Sequence, residues 1–147
     1  MKLIQPMTAE LKDNLIIFSY QGDDSITYQT QANLFQENTG VTVENVTSGL
    51  PVYGIRLDQF GNSLTCGHII DNAVGFLKNA ELENIVLIID FDGIIDISKS
   101  FCEQYFKFIL GTKSKVISIN QNTNISMAFS KYVLSMIDYQ DVKEWIM

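Results

Sequence analysis

The clearest apolar signal along the chain is residues 85–90, IVLIID, an unbroken run that ends in an acid. A run without alternation predicts a strand covered on both faces. The segment KVISIN at 115–120 predicts a second strand, and NLIIFSY at 14–20, bounded by Gly22 and two aspartates, a third. Between the first two, Cys102, Tyr105, Phe106, Ile109 and Leu110 share one helical face, with Gly111 as the stop. Upstream, Gly61-Asn62 predicts a turn and Ser63 or Thr65 a helix cap. Cys66, Ile69, Ile70, Ala73, Val74 and Leu77 then form a stripe. The cleanest stripe runs through Ile125, Ala128, Phe129, Tyr132, Val133, Met136 and Ile137, after the turn-rich Asn120–Asn124. The amino-terminal half is less regular. Residues 27–37 predict a helix ended by Gly40, 41–46 (VTVENV) have β composition, and 51–57 (PVYGIRL) read as a strand. The tail DYQDVKEWIM predicts a last short helix, with Val142, Trp145 and Ile146 available for packing.

Strand and helix alternate from residue 51 onward, which is the pattern of an α/β fold with a sheet and crossover helices. The 147 residues suffice for one domain burying about two-thirds of its unfolded surface. An apolar content of 46% fits a globular chain. The formal net charge of −7, with no run of Lys or Arg, argues against nucleic acid and anionic membrane as partners. Cys66, Cys102 and the single histidine, His68, have no metal-type spacing. The two cysteines are expected as small buried helix residues, and His68 as a solvent-facing or packing residue. No metal or cofactor is expected. The amino terminus lacks a secretory apolar region, and no segment approaches the length of a membrane span, so the expected location is the cytoplasm.

The first run continues as Asp90-Phe91-Asp92-Gly93. Strand-Asp-x-Asp-Gly resembles the first motif of the haloacid dehalogenase superfamily of phosphatases. That resemblance implies Asp90 as a nucleophile toward phosphorus, Asp92 as acid and base, and a bound Mg²⁺. The remaining parts do not follow. KVISIN ends in Asn120 rather than a carboxylate, Asp138 and Asp141 come after a helix, and Ile94 stands where Thr or Val is usual. The alternative for Asp90 and Asp92 is structural: strand-end carboxylates that accept loop N–H groups.

A second resemblance covers residues 61–133. Gly61-Asn62-Ser63-Leu64-Thr65 leads into a helix, and Ile88-Ile89-Asp90-Phe91-Asp92-Gly93-Ile94 closes a strand. Ile97-Ser98-Lys99-Ser100-Phe101 opens the next helix, and Ile119-Asn120-Gln121-Asn122 follows the next strand. In order and spacing these pieces resemble a STAS-like domain, as in anti-sigma factor antagonists, and more closely a bacterial STAS-like group of uncharacterised function. The resemblance implies a mixed β-sheet with crossover helices. The domain is expected over residues 49–147; the resemblance says nothing of residues 1–48, which are expected as an extension or extra strands packed on the same domain. The resemblance also implies a partner of the histidine-kinase-like ATPase or kinase class, and a serine phosphoacceptor between a strand and a helix. In antagonist members that serine lies in an Asp-Ser-Ser/Thr-Gly segment: here Ser98 takes the place of its aspartate, Lys99 that of its first serine and Ser100 that of the phosphorylated residue, while Phe101 replaces the glycine. Cys66 stands where the STAS-like group has a basic residue.

The expectation is therefore a non-enzymatic regulatory interaction domain. Ser100 is its candidate phosphoacceptor, and Asp92, Asp96, Ser98, Lys99 and Glu103 are its candidate surface. Alongside stands a purely structural reading of Ser100, as the N-cap of a capping box closed by Glu103. Two rival functions are an Mg²⁺-dependent phosphatase and a module binding a nucleotide or small ligand; the Asn120–Asn124 cluster, expected as turn and cap chemistry, could alternatively hold a small polar ligand at the sheet's edge.

Overall fold

A computed structural model describes residues 4–80 and 82–136, with side chains through Tyr132. The predicted tail helix and Ile137 lie outside the described residues, as do the side chains of Val133 and Met136. In chain order the elements are β1 (Gln5–Lys12), β2 (Leu15–Tyr20), β3 (Tyr28–Gln31), α1 (Ala32–Thr39), β4 (Val52–Arg56), β5 (Ser63–Leu64) and α2 (Gly67–Asn79). They continue with β6 (Val86–Asp90), β7 (Asp96–Ile97), α3 (Lys99–Gly111), β8 (Lys115–Ile119) and α4 (Thr123–Met136). The fold is mixed α/β. These elements make two compact units, and the chain alternates between them.

The first unit comprises residues 4–56, 82–90 and 113–120. Its six strands form a mixed sheet in the order β3-β2-β1-β4-β6-β8. β4, β6 and β8 are parallel, and each link between them carries a helix. β1, β2 and β3 are antiparallel, and β1 joins β4 only at Gln5 opposite Gly54 and Pro6 opposite Tyr53. Every residue of β6 is buried, as its unbroken apolar run predicts. Met7, Ile16 and Phe18 from the hairpin share a core with Val52, Val86, Ile88 and Ile117. Phe18 also packs its ring 5.5 Å from that of Phe35 on α1.

The second unit holds residues 57–80, 91–112 and 121–136: α2, α3, α4 and the two-stranded parallel sheet of β5 and β7. Its centre is aromatic. Tyr105 stacks on Phe101 at 5.2 Å and on Phe129 at 5.8 Å, and Phe91 meets all three edge-on at 5.6–6.2 Å. Edge-on and offset rings align opposite ends of their quadrupoles, which adds to the gain from burial.

The structure departs from the hydrophobic pattern at several places. Residues 28–31 are not the start of a helix; they add to β2 as a strand, and the helix begins at Ala32. Residues 41–46 are not a strand. Neighbouring side chains take up their backbone N–H groups: Thr39 Oγ1 accepts from Val41, Gln36 Oε1 from Val43 and Thr42 Oγ1 from Asn45. Val41 and Val46 reach the core from turns, the latter in a π-helical turn, Asn45–Gly49. Ser63 and Leu64 form β5, so α2 starts only at Gly67. Cys66, expected buried, is exposed at its N-cap and makes no side-chain cap. On α3 the buried stripe is Phe101, Cys102, Tyr105 and Phe108, while Leu110 is 61% exposed. The helix turns Leu110 outward and Phe101 inward, where its ring joins the aromatic cluster, and Phe108 is buried as well.

Candidate functional site

Asp90 closes β6 and is 2% exposed, the only buried charged or polar residue among those described. Its Oδ1 accepts a hydrogen bond from Asn120 Nδ2 at 3.1 Å. The same amide nitrogen donates to Thr27 O, also at 3.1 Å. Asn120 follows the last residue of β8 and has φ +60°, a left-handed conformation that Asn tolerates better than most residues. The side chain therefore ties together the end of β6 and the residue before β3, a strand at the far edge of the sheet. Asp90 is committed to that tie and buried, so it is not presented to an incoming phosphoester. Among the described residues no group of three or more His, Cys, Asp or Glu side chains could hold a metal ion.

Beyond Asp90 the chain enters the second unit. Phe91 fills the aromatic cluster and Asp92 is exposed. Gly93 has φ +86°, and a Cβ placed there would sit 2.8 Å from Asp58 Oδ2. The left-handed conformation favours glycine, and a side chain there would also have to push the Asp58 carboxylate aside. Ile94 N–H closes the turn on Phe91 O, and Asn122 Nδ2 donates to Ile94 O at 2.9 Å and Ile95 O at 3.1 Å. Asn122 Oδ1 also caps α4 by accepting from Ile125 N–H at 2.9 Å. The expected turn-and-cap chemistry of this segment is thus realised by Asn122, while Asn120 does something that cap patterns do not signal. A shallow hollow of about 600 Å³ runs beside this cap, lined by Gln121, Asn122, Thr123, Ser126, Met127 and Lys131, with Ser130.

The next segment, β7, pairs with β5 ahead of α2. Asp96 lies opposite Ser63 and Ile97 opposite Leu64, with Ile95 N–H donating to Asn62 O and Ser98 N–H to Leu64 O. Ser63 Oγ donates to the Asp96 carboxylate and lies 3.0 Å from Thr65 Oγ1. Asp96 is therefore held, and the ladder sets where α3 begins.

The start of α3 corrects one expectation. The N-cap is Ser98, whose Oγ accepts from Phe101 N–H at 3.2 Å; Ser100 lies inside the first turn. No capping box exists, because the third helical residue from the Ser98 cap is Phe101. Glu103 instead faces Lys99, one turn away, at 3.9 Å. The ion pair is solvated, with side chains 59% and 41% exposed, and contributes little. Ser100 is exposed, and its Oγ accepts only a surface contact from Gln104 Nε2 at 3.2 Å. Asp92, Lys99 and Ser100 are thus exposed, while Asp96, Ser98 and Glu103 are part-buried and engaged.

His68 is exposed in the first turn of α2, 3.4 Å from Asn72 Nδ2. Cys102 is buried on α3, and burial pushes its thiol up to about 12, with the backbone bond opposing this and Glu103 adding to it. At pH 8 a thiol reagent should therefore modify one cysteine of the native protein, Cys66, and both after denaturation. The unfolded Cys102 thiol ionises near its ordinary value while the folded one stays protonated. The native state then binds more protons, and stability falls as pH rises from about 9 toward 12. Mass spectra of labelled protein and alkaline melting curves check both.

No helix among the described residues is long and apolar enough to cross a membrane. Comparison with protein-family models, with curated proteins and with solved structures finds no match.

Proposed function

We propose that the chain is a STAS-like, non-enzymatic regulatory protein that docks the start of α3 against a partner protein. The partner class is an ATPase or kinase of the histidine-kinase-like fold, and Ser100 is the phosphoacceptor that switches the contact. The observation that carries this reading is the division of labour between two serines. Ser98 caps the helix, so the exposed Ser100 hydroxyl is not needed to start it. An exposed serine in the first turn of α3, beside an exposed lysine, is open to modification. A phosphate on Ser100 would lie near the unpaired N–H groups and positive dipole end of α3, with Lys99 adjacent. It would draw Lys99 away from Glu103 and place up to two negative charges on the docking face.

Intact mass and peptide mapping of the protein captured from its native cell test the reading. The expected result is one phosphate on Ser100 and a co-captured ATPase. Ser100→Asp and Lys99→Glu should each weaken that complex with the fold intact. Ser98→Ala should cost about 1 kcal/mol of stability and Ser100→Ala nearly none. Phosphate on another residue, or an unmodified protein with no partner, would overturn it. Mg²⁺-dependent hydrolysis of a phosphoester, abolished by Asp90→Asn, would replace it with the phosphatase reading.

A further inference from the structure

Strand β1 has two halves. Gln5 and Pro6 pair with β4, but from Met7 to Lys12 the only ladder is with β2. Gln21 N–H donates to Pro6 O at 3.1 Å, so Pro6 faces β2. Antiparallel ladders alternate, so Thr8, Glu10 and Lys12 also turn their N–H and C=O groups toward β2. Those of Ala9 and Leu11 turn the other way, toward the side from which β4 has departed. A groove of about 420 Å³ opens there, bordered by Thr8, Ala9 and Glu10 on one side and Thr47, Leu50 and Pro51 on the other. It ends where the strands rejoin at Pro6 and Tyr53, beside the buried Met7. Glu10, Leu11 and Lys12 are exposed, Leu11 by 54%. A strand edge without a ladder partner is a template for another strand.

We propose that this edge pairs antiparallel with the same edge of a second copy of the chain, about a twofold axis at Leu11. Hydrogen-bonding direction and charge select that register. Only registers that set odd residues against odd residues bring the outward N–H and C=O groups together. A register centred on Ala9 requires Met7 to pair, and Met7 is buried beside the β1–β4 junction. One centred on Glu10 sets that carboxylate against its own copy, which is repulsive. Centring on Leu11 sets Glu10 opposite Lys12 of the other copy, twice by symmetry, and covers the exposed leucine with its equivalent. The ladder is short, so the dimer is a reversible one at working concentrations. The proposal concerns β1 alone and does not rest on the reading of α3.

Sedimentation velocity on the full chain over a concentration series tests it. Wild type should show a mass that rises with concentration from one chain toward two. Glu10→Lys and Lys12→Glu should each weaken association about tenfold, since each turns two attractive pairs repulsive. The double variant E10K/K12E should recover wild-type association. A wild type that is monomeric throughout, single variants that associate as well as wild type, or a double variant that fails to recover would each overturn the proposal. Far-UV circular dichroism confirms that every variant is folded.

Discussion

Replacing Asn120 by Asp should lower the melting temperature by roughly 10 °C at pH 7 and by far less near pH 4. Asp keeps the shape of Asn and tolerates its left-handed backbone, so the change isolates charge and donor capacity. The amide that donates to Asp90 Oδ1 and Thr27 O is lost at both ends. Two carboxyl groups then sit at hydrogen-bond distance in a site where Asp90 is 2% exposed. Both cannot ionise there, so the folded variant retains a proton that the unfolded chain releases above about pH 4. The native state then binds more protons than the unfolded one, and stability drops as pH rises. A loss of about 3 kcal/mol corresponds to that shift in melting temperature for a chain of this size. Melting curves across pH 4–8 supply the test. Equal stability of variant and wild type at pH 7 would mean that Asn120 is not the tie described.

Gly54→Val should cost about 3 kcal/mol, for a steric reason. Gly54 lies in β4 between Gln5 on β1 and Ile88 on β6. A Cβ there would collide with Met7 Sδ, lie 3.0 Å from Met7 Cγ and stand 2.9 Å from Tyr20 Cε1. The methionine could bend away, but the tyrosine ring is on β2 and less able to move. Gly54→Ala should show the same conflict in milder form. Met7→Ala alone opens a cavity in the core and destabilises by about 2 kcal/mol or more. The double variant M7A/G54A should be more stable than the sum of its parts by roughly 1 kcal/mol, because the new methyl occupies the vacated space. Additive losses in chemical denaturation would show that Met7 and Gly54 do not share that volume.

These sites show what the chain made legible. β6 and β8 were readable because a short apolar run bounded by turn residues has few other uses, and α2 and α4 because their stripes are long. β1 was not, since only Met7 along QPMTAELK is fully buried. The available signal was the Asp13-Asn14 pair between two extended stretches, where Asp13 has φ +56° and Lys12 faces Leu15. Composition alone does not choose the cap of α3, because both Ser98 and Ser100 satisfy the rule and lie two residues apart. The deciding fact is the ladder between β5 and β7, a non-local contact. The Asp90–Asn120 bond spans thirty positions and carries no local pattern. Asp-Phe-Asp-Gly itself divides its residues between two environments. Asp90 is buried in the sheet unit, Phe91 fills the helical unit's core, and Asp92 and Gly93 are exposed.

The alternation of the chain between units has a consequence for its synthesis. The backbone changes unit after residues 56, 81, 90, 112 and 120, so neither unit is encoded by a continuous stretch. A ribosome must deliver β8 before the sheet acquires its last parallel strand. Until then Met7, Ile16 and Phe18 wait on the nascent chain for Ile117 and Ile119 to complete their core. No single cut in the gene yields either unit alone, and a stop codon before residue 115 should give an insoluble fragment rather than a smaller working domain.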